Sequence, residues 1–581
     1  MTAPRARTYA GFAAPAAPER TAPIAPVMRI EGAGKNAVET GRTRLLFAGG
    51  IFLLLFGLVA WRLVTVTLVP GTVQEARARP VAEATMPTLR AGITDRNGIL
   101  LATTLPTVNL HANAKQVRNP EDAAKRLAQV LPEIDPDKTL ERLKSGASFV
   151  YLYRNLTPGQ QFEVNRLGIP GLAFENGERR VYPQGDLFSH VVGMTDIDNH
   201  GISGVERRFD ERLAKGRQVR LSLDIRVQTA LAGILKDAVA TYQAAGAAGI
   251  VQDVQTGEVI ALVSMPDFDP NRNETLDRDT AFNRATLGVY EMGSVFKIFN
   301  TAIALESGKI HLDDRFDSTP VKIAKYTIHD IHAMKHWVTV PEILIHSSNA
   351  GSARMAMEFG ADLQRSYLSR LGMFAPAAVE LPEVGAPQVP PAPWGQITVA
   401  TVSFGHGISV SPLQVTTAAS TLVNGGIFRP ATLLARGRDE ADPGSRVISE
   451  TTSQAMRRLM RMVVTEGSGR RAEVPGFRVA GKTGTAEKVV NGRYSHTAVL
   501  ASFLAVFPAD APRYTLLVSL DDPKGIPATS NLTTAGMNAA PTAGKAIAAI
   551  APMLGLVPGP DPFAADDPRH GSLLMAAARE Q

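Results

Sequence analysis

Gly481-Lys482-Thr483-Gly484-Thr485, following the alternating Phe477-Arg478-Val479, is the stretch on which the fold turns. Alternation of this kind reads as a β-strand. A strand edge there would hydrogen-bond an extended peptide, and Gly484 would let that peptide's backbone come close. Outward from it, Val499–Phe507 and Tyr514–Leu520 read as further strands and Ala540–Leu554 as a helix. Far upstream, a helix over Ile225–Val239 leads into residues 249–263, which read as two strands joined by a tight turn at Gly257. The expected fold class is α/β of the α+β kind, an antiparallel sheet packed between helices.

Two other short strings belong with the first. Ser294-Val-Phe-Lys297 opens an apolar run, Val295–Leu305, that stops at Gly308. Ser294 therefore sits at a helix N-terminus, where backbone N–H groups favour negative charge, and Lys297 lies over the same face. A serine needs a base, and Lys297 could serve if burial and a second cation, Lys482, lowered its pKa. Taken alone, such a serine is an ordinary N-cap beside a solvated lysine. Ser347-Ser-Asn349 follows a helix with capping-box spacing at Thr339-Val-Pro-Glu342 and precedes another over 350–359, so a loop can aim Ser347 and Asn349 into a cleft. The three strings in this order mark an acyl-transfer site.

Two look-alikes carry less. Residues 476–483 match the phosphate-loop pattern letter for letter, but Arg-Ala-Glu-Val-Pro stands where a strand is needed and a glycine where a helix is needed. No nucleotide is expected. His329, His332 and His336 have a spacing zinc could use, yet no acidic or cysteine cluster completes a site, so no metal or other cofactor is expected.

Composition sets the compartment. There is no cysteine, which excludes thiol catalysis and disulfides. The net charge is +6, and +4 of it lies in residues 1–44, so no broad nucleic-acid surface is implied. Leu45–Trp61 carries no charge and the apolar run reaches Val69 across Arg62, about 37 Å of helix. A cleaved leader would begin its apolar run earlier, despite Ala76-Arg-Ala78. The expectation is a basic disordered cytoplasmic tail (1–44), an uncleaved single-pass anchor (45–69), an exported interaction region (70–220), a catalytic region (221–557) and a disordered tail (558–581).

The chain resembles the class B penicillin-binding proteins, most closely the division-specific (septal) peptidoglycan D,D-transpeptidases. The likeness runs from the span to about residue 557. It includes Asp95-Arg-Asn-Gly98, Arg180-Val-Tyr-Pro183, Gly201-Ile-Ser-Gly-Val-Glu206, Ser403-Phe-Gly-His-Gly407, Pro412-Leu-Gln414, Gly426-Ile-Phe-Arg-Pro430 and Lys482-Thr-Gly-Thr-Ala-Glu-Lys488. Asn349 leans towards division, since elongation-type relatives typically carry Ser-x-Asp. The resemblance implies an elongated, mostly-β pedestal, then a transpeptidase domain with a five-stranded antiparallel sheet and an all-helical subdomain.

It further implies that Ser294 is acylated by a D-Ala-D-Ala stem peptide with Lys297 as base, and that Ser347 and Lys482 pass the proton to the leaving amine. Asn349 would hold the donor peptide, Thr483 and Thr485 its terminal carboxylate, and β-lactams would block Ser294. Implied partners are peptidoglycan stem peptides, a SEDS-family glycosyltransferase and other division-complex membrane proteins at the inner membrane. Met292 and Ile298 depart from the Pro that relatives often carry at both places. Rivals are an elongation-type transpeptidase, a β-lactamase, which would lack a pedestal, and a non-catalytic β-lactam-binding scaffold, weakened by the complete motif set.

Overall fold

The computed structural model describes residues 33–68 and 89–563, except 273–274, 332–336 and 491. It falls into two units, Met1–Pro87 and Thr88–Gln581. The described part of the first is one helix, Ala33–Leu68, whose segment Arg42–Val64 is long and apolar enough to cross a membrane. The helix begins well before Leu45, so residues 33–44 are helical rather than part of a disordered tail. Residues 34–42 contain no proline to break it, whereas Pro23 and Pro26 lie upstream. The rest of the tail lies outside the described residues.

The second unit opens with the expected pedestal region. Its sheet runs Val150–Leu156, Leu100–Ala112, Ile93–Thr94, Val219–Arg220, with Leu172–Val181 also paired to Leu100–Ala112. The region is mixed rather than mostly β. Helices Pro120–Val130, Pro136–Lys144 and Pro158–Arg166 each start with proline behind an Asn, Asp or Thr cap. Pro132 and Pro136 split the single helical stretch read over 120–145 into two.

At its centre Glu206, fully buried, binds two guanidiniums: Arg90 Nε donates to Oε2 at 2.8 Å and Arg180 Nε to Oε1 at 2.7 Å. This packs Arg180-Val-Tyr-Pro183 and Gly201–Glu206 against the first described residues of the unit. Ile93, Leu101 and Val219 share a core with Leu221, Ile250, Leu262 and Leu413, so the hydrophobic interior is continuous across residue 220.

The catalytic region is built on β1 (Gly246–Asp253), β2 (Val259–Met265), β3 (Ala480–Val490), β4 (Arg493–Phe507) and β5 (Tyr514–Asp521). Their order is β3-β4-β5-β1-β2, every neighbour antiparallel. Helices α1 (Ile225–Tyr242) and α6 (Ala539–Met553) cover one face; α2 (Phe296–Glu306), α3 (Asn349–Arg370), α4 (Pro412–Val423) and α5 (Glu450–Thr465) cover the other. Burial on both faces explains why β5 is apolar almost throughout: Leu516, Val518 and Leu520 enter the α1/α6 core and Leu517 the opposite one. Strand β3 begins at Ala480 rather than Phe477, because Arg478 takes a left-handed backbone (φ +48°) that no strand continues through. Gly360 (φ +85°) interrupts α3 where the sequence placed a helix end.

Among the described residues no cluster of His, Asp and Glu could hold a metal; His332 and His336 lie outside them. Gly481, Lys482 and Thr483 sit inside β3 with no helix following, which is not a phosphate loop. Pro558–Phe563, expected to start a disordered tail, instead pack on the domain. Gly559 N donates to Gly476 O at 2.9 Å, Asp561 receives Arg461, and Phe563 reaches the core.

Candidate active site

The nucleophile string forms a short 3₁₀ turn, Gly293–Val295, that runs directly into α2. Both sides of this turn are pressed by backbone. A Cβ on Gly293 (φ +54°) would stand 2.8 Å from Thr485 O, one on Gly484 2.5 Å from Met292 O, and one on Gly405 2.3 Å from Gly293 O. The glycines therefore let the turn, β3 and the Ser403–Gly407 loop close on one another. Gly484, expected to make room for substrate, makes room for the enzyme's own turn. Met292 and Ile298, the departures from the resemblance, are both buried in the helical core.

Lys297 is fully buried. Its Nζ lies 2.6 Å from Ser347 O, 2.7 Å from Asn349 Oδ1, 3.0 Å from Ser294 Oγ and 3.1 Å from Ser347 Oγ. The two closest partners are carbonyl oxygens, which can only accept. A neutral amine has two N–H bonds and one lone pair. Giving both N–H bonds to those carbonyls leaves the lone pair for the Ser294 hydroxyl, the arrangement a general base needs. Burial, and then the nearby Lys482, hold the Lys297 pKa well below an ordinary lysine's, while Asp330 opposes them. Ser347 takes a left-handed backbone (φ +59°) for a non-glycine residue, in the loop that carries its carbonyl to the amine.

Lys482 Nζ lies 3.1 Å from Ser347 Oγ, which links it through that hydroxyl to Lys297. Burial pushes its pKa down to about 7. β3 pairs only with β4, so it is an edge strand. In an antiparallel pair a residue's N–H and C=O point to the same side. Thr485 O faces the nucleophile turn, and Thr485 N–H therefore faces that way too. Thr483 Oγ1 meets Ser468 Oγ at 2.7 Å, and Thr485 Oγ1 accepts from Ala535 N at 3.0 Å.

Ser294, Lys297, Ser347, Asn349, Lys482, Thr483, Gly484 and Thr485 thus converge. Several neighbours were not legible beforehand. Asp330 takes hydrogen bonds from the start of α3, and Ser468 supports Thr483. Glu291 Oε1 accepts from Gly407 N (2.7 Å) and Tyr494 OH (3.0 Å), and its Oε2 lies 2.9 Å from His406 Nδ1. Burial raises the Glu291 pKa, but His406, Gly407 and Tyr494 together hold it below the usual carboxylate range. The sequence signals for these were Glu291 standing three residues before Ser294 and the string Ser403–Gly407, which carries His406 and Gly407; nothing announced Asp330 or Ser468.

A serine–lysine pair at the start of a helix, beside an antiparallel edge strand carrying a second lysine, defines a serine acyl-transfer enzyme. Comparison with known proteins narrows the class. Residues 247–548 match the penicillin binding protein transpeptidase domain and residues 85–220 the penicillin-binding protein dimerisation domain.

The chain is 40% identical over 482 residues to the probable peptidoglycan D,D-transpeptidase FtsI of Caulobacter vibrioides, covering 80% of this chain and 82% of that one. It is 31% identical over 506 residues to the peptidoglycan D,D-transpeptidase FtsI of Escherichia coli K12, covering 81% and 85%. A crystal structure of penicillin binding protein 3 from Mycobacterium tuberculosis, complexed with aztreonam, superposes with a TM-score of 0.64 at 26% identity, covering 82% and 98%. The chain belongs to the class B penicillin-binding proteins of the division type.

Proposed function

We propose that this protein is a peptidoglycan D,D-transpeptidase that cross-links stem peptides of the septal wall through an acyl-enzyme on Ser294. The supporting observation is Lys297 Nζ, which lies 3.0 Å from Ser294 Oγ and closer still to the carbonyl oxygens of Ser347 and Asn349, so that a neutral amine can give both N–H bonds to those carbonyls and turn its lone pair to Ser294 Oγ. Lys297 takes the hydroxyl proton as Ser294 attacks the penultimate D-Ala carbonyl. The N–H groups of Ser294 and Thr485 hold the oxyanion. The proton passes by Ser347 and Lys482 to the departing D-Ala amine, Asn349 holds the donor peptide, and Thr483 and Thr485 its carboxylate. The amine of a neighbouring stem peptide then displaces Ser294, forming the cross-link. β-Lactams acylate the same hydroxyl.

The helix containing Arg42–Val64 would anchor the chain once in the inner membrane, with the N-terminus cytoplasmic and the catalytic unit outside at the septum. Glycan polymerisation would fall to a SEDS-family partner. Fluorescent penicillin added to the full chain in detergent tests the chemistry. A stable adduct that Ser294→Ala abolishes is expected. A label that clears within seconds would instead indicate a β-lactamase, and no label on folded protein would end the acyl-transfer reading.

A further inference from the structure

Asn349 reaches Lys297 from the first residue of α3, so whatever holds that end holds the base. The loop before it does so from residues 329 and 330. Asp330 Oδ1 accepts from the backbone N–H of Asn349 and, at 2.9 Å, of Ala350; Oδ2 accepts from Ser348 Oγ at 2.6 Å. One carboxylate thus caps the N-terminus of a helix 20 residues downstream, as favourable for its charge as a local cap would be.

The neighbouring carbonyl sets the amide. Asn349 Nδ2 donates to His329 O at 3.1 Å, which turns Oδ1 towards Lys297 Nζ. Ser348, whose hydroxyl both donates to Asp330 and accepts from Gly351 N at 2.9 Å, follows directly on Ser347 and its left-handed backbone.

We propose that Asp330 is a positioning residue for acylation: it places Ser347 O and Asn349 Oδ1 on Lys297 and sets a negative charge near a base otherwise faced by Lys482. Its hydrogen bonds go to Ser348, Asn349 and Ala350, so it acts through the Ser347–Asn349 motif. The charged groups acting on Lys297 come from two packed elements, Lys482 on β3 and Asp330 on the loop; Ser294 Oγ, Ser347 and Asn349 complete its surroundings. Because Asp330 raises the Lys297 pKa, its removal moves the protonation that silences the base to lower pH.

The inference rests on the proposed acyl transfer, so the test carries its own control. The full chain in detergent is acylated with fluorescent penicillin across a pH series, as wild type, Ser294→Ala, Asp330→Asn and Asp330→Glu, with a melting temperature for each. Asp330→Asn, which keeps shape and loses charge, is expected to acylate about 10- to 100-fold more slowly, with the acid limb of its profile displaced to lower pH. Asp330→Glu, which keeps the charge and displaces it by a methylene, should lose rate with the limb in place. Wild-type rates in both variants, or a loss that tracks melting temperature with both limbs unmoved, would overturn the assignment. Failure of wild-type protein to label would overturn the acyl-transfer reading beneath it.

Discussion

At the scale of single residues the site depends on two lysines kept short of protons. Replacing Lys297 by Ala should lower penicillin acylation by about 10²- to 10⁴-fold, the usual worth of a general base, read from the rate of adduct formation. Lys482 makes a stability prediction. Its folded pKa, about 7, lies below the roughly 10.4 of an unfolded lysine. Between those values the unfolded chain binds the extra proton, so this group makes stability rise with pH across that window and contributes no slope below it. The melting temperature of wild type should therefore climb relative to Lys482→Met as pH is raised from about 7 to about 10; parallel curves would show that the lysine is not depressed. The structure brings together the eight residues that the sequence singled out. Asp330 and Ser468 escaped notice because each is joined to the site by a contact distant in sequence, with no local pattern to announce it.

Among elements, the contact that matters most is between β3 and the nucleophile turn. Gly484→Ala would place a methyl against Met292 O at 2.5 Å and Val295 Cγ2 at 2.7 Å, neither with room to yield. Overpacking of this sort costs about 1–3 kcal/mol, and moving Thr485 from Ser294 should cost acylation at least as much as stability. A variant that unfolds in urea at the wild-type midpoint and acylates at the wild-type rate would refute that account. The β3–β4 hairpin is also tied down at its tip, where Tyr494 donates to Glu291 and stacks on His406 with ring centroids 4.5 Å apart. Tyr494→Phe keeps the stack and removes the hydrogen bond, so a loss of about 0.5–1.5 kcal/mol is expected in a urea titration.

For the whole molecule the informative group is Glu206, buried with Arg90 and Arg180 in the pedestal region. Glu206→Ala leaves two buried guanidiniums without their shared carboxylate, a change expected to cost about 3–5 kcal/mol. Since one core runs from Ile93 through Val219 to Leu413, that loss should reach the catalytic half. Penicillin labelling and pedestal tryptic resistance are expected to fall together on heating; catalytic labelling that survives a melted pedestal would show two independent domains.

Chain composition and local spacing by themselves determined the long apolar helix, the antiparallel sheet with its flanking helices, and the three strings that meet at the site. These are written in periodicity, caps and rare short motifs, all local quantities. Only the tertiary structure decided what crosses the chain. It showed that Gly484 and Gly405 serve the enzyme's own close packing, that the pedestal core continues past residue 220, and that a carboxylate from a preceding loop holds the start of α3. Such contacts join residues far apart in sequence. They follow from close packing and from the need of every buried polar group for a partner, which no window of neighbouring residues can supply.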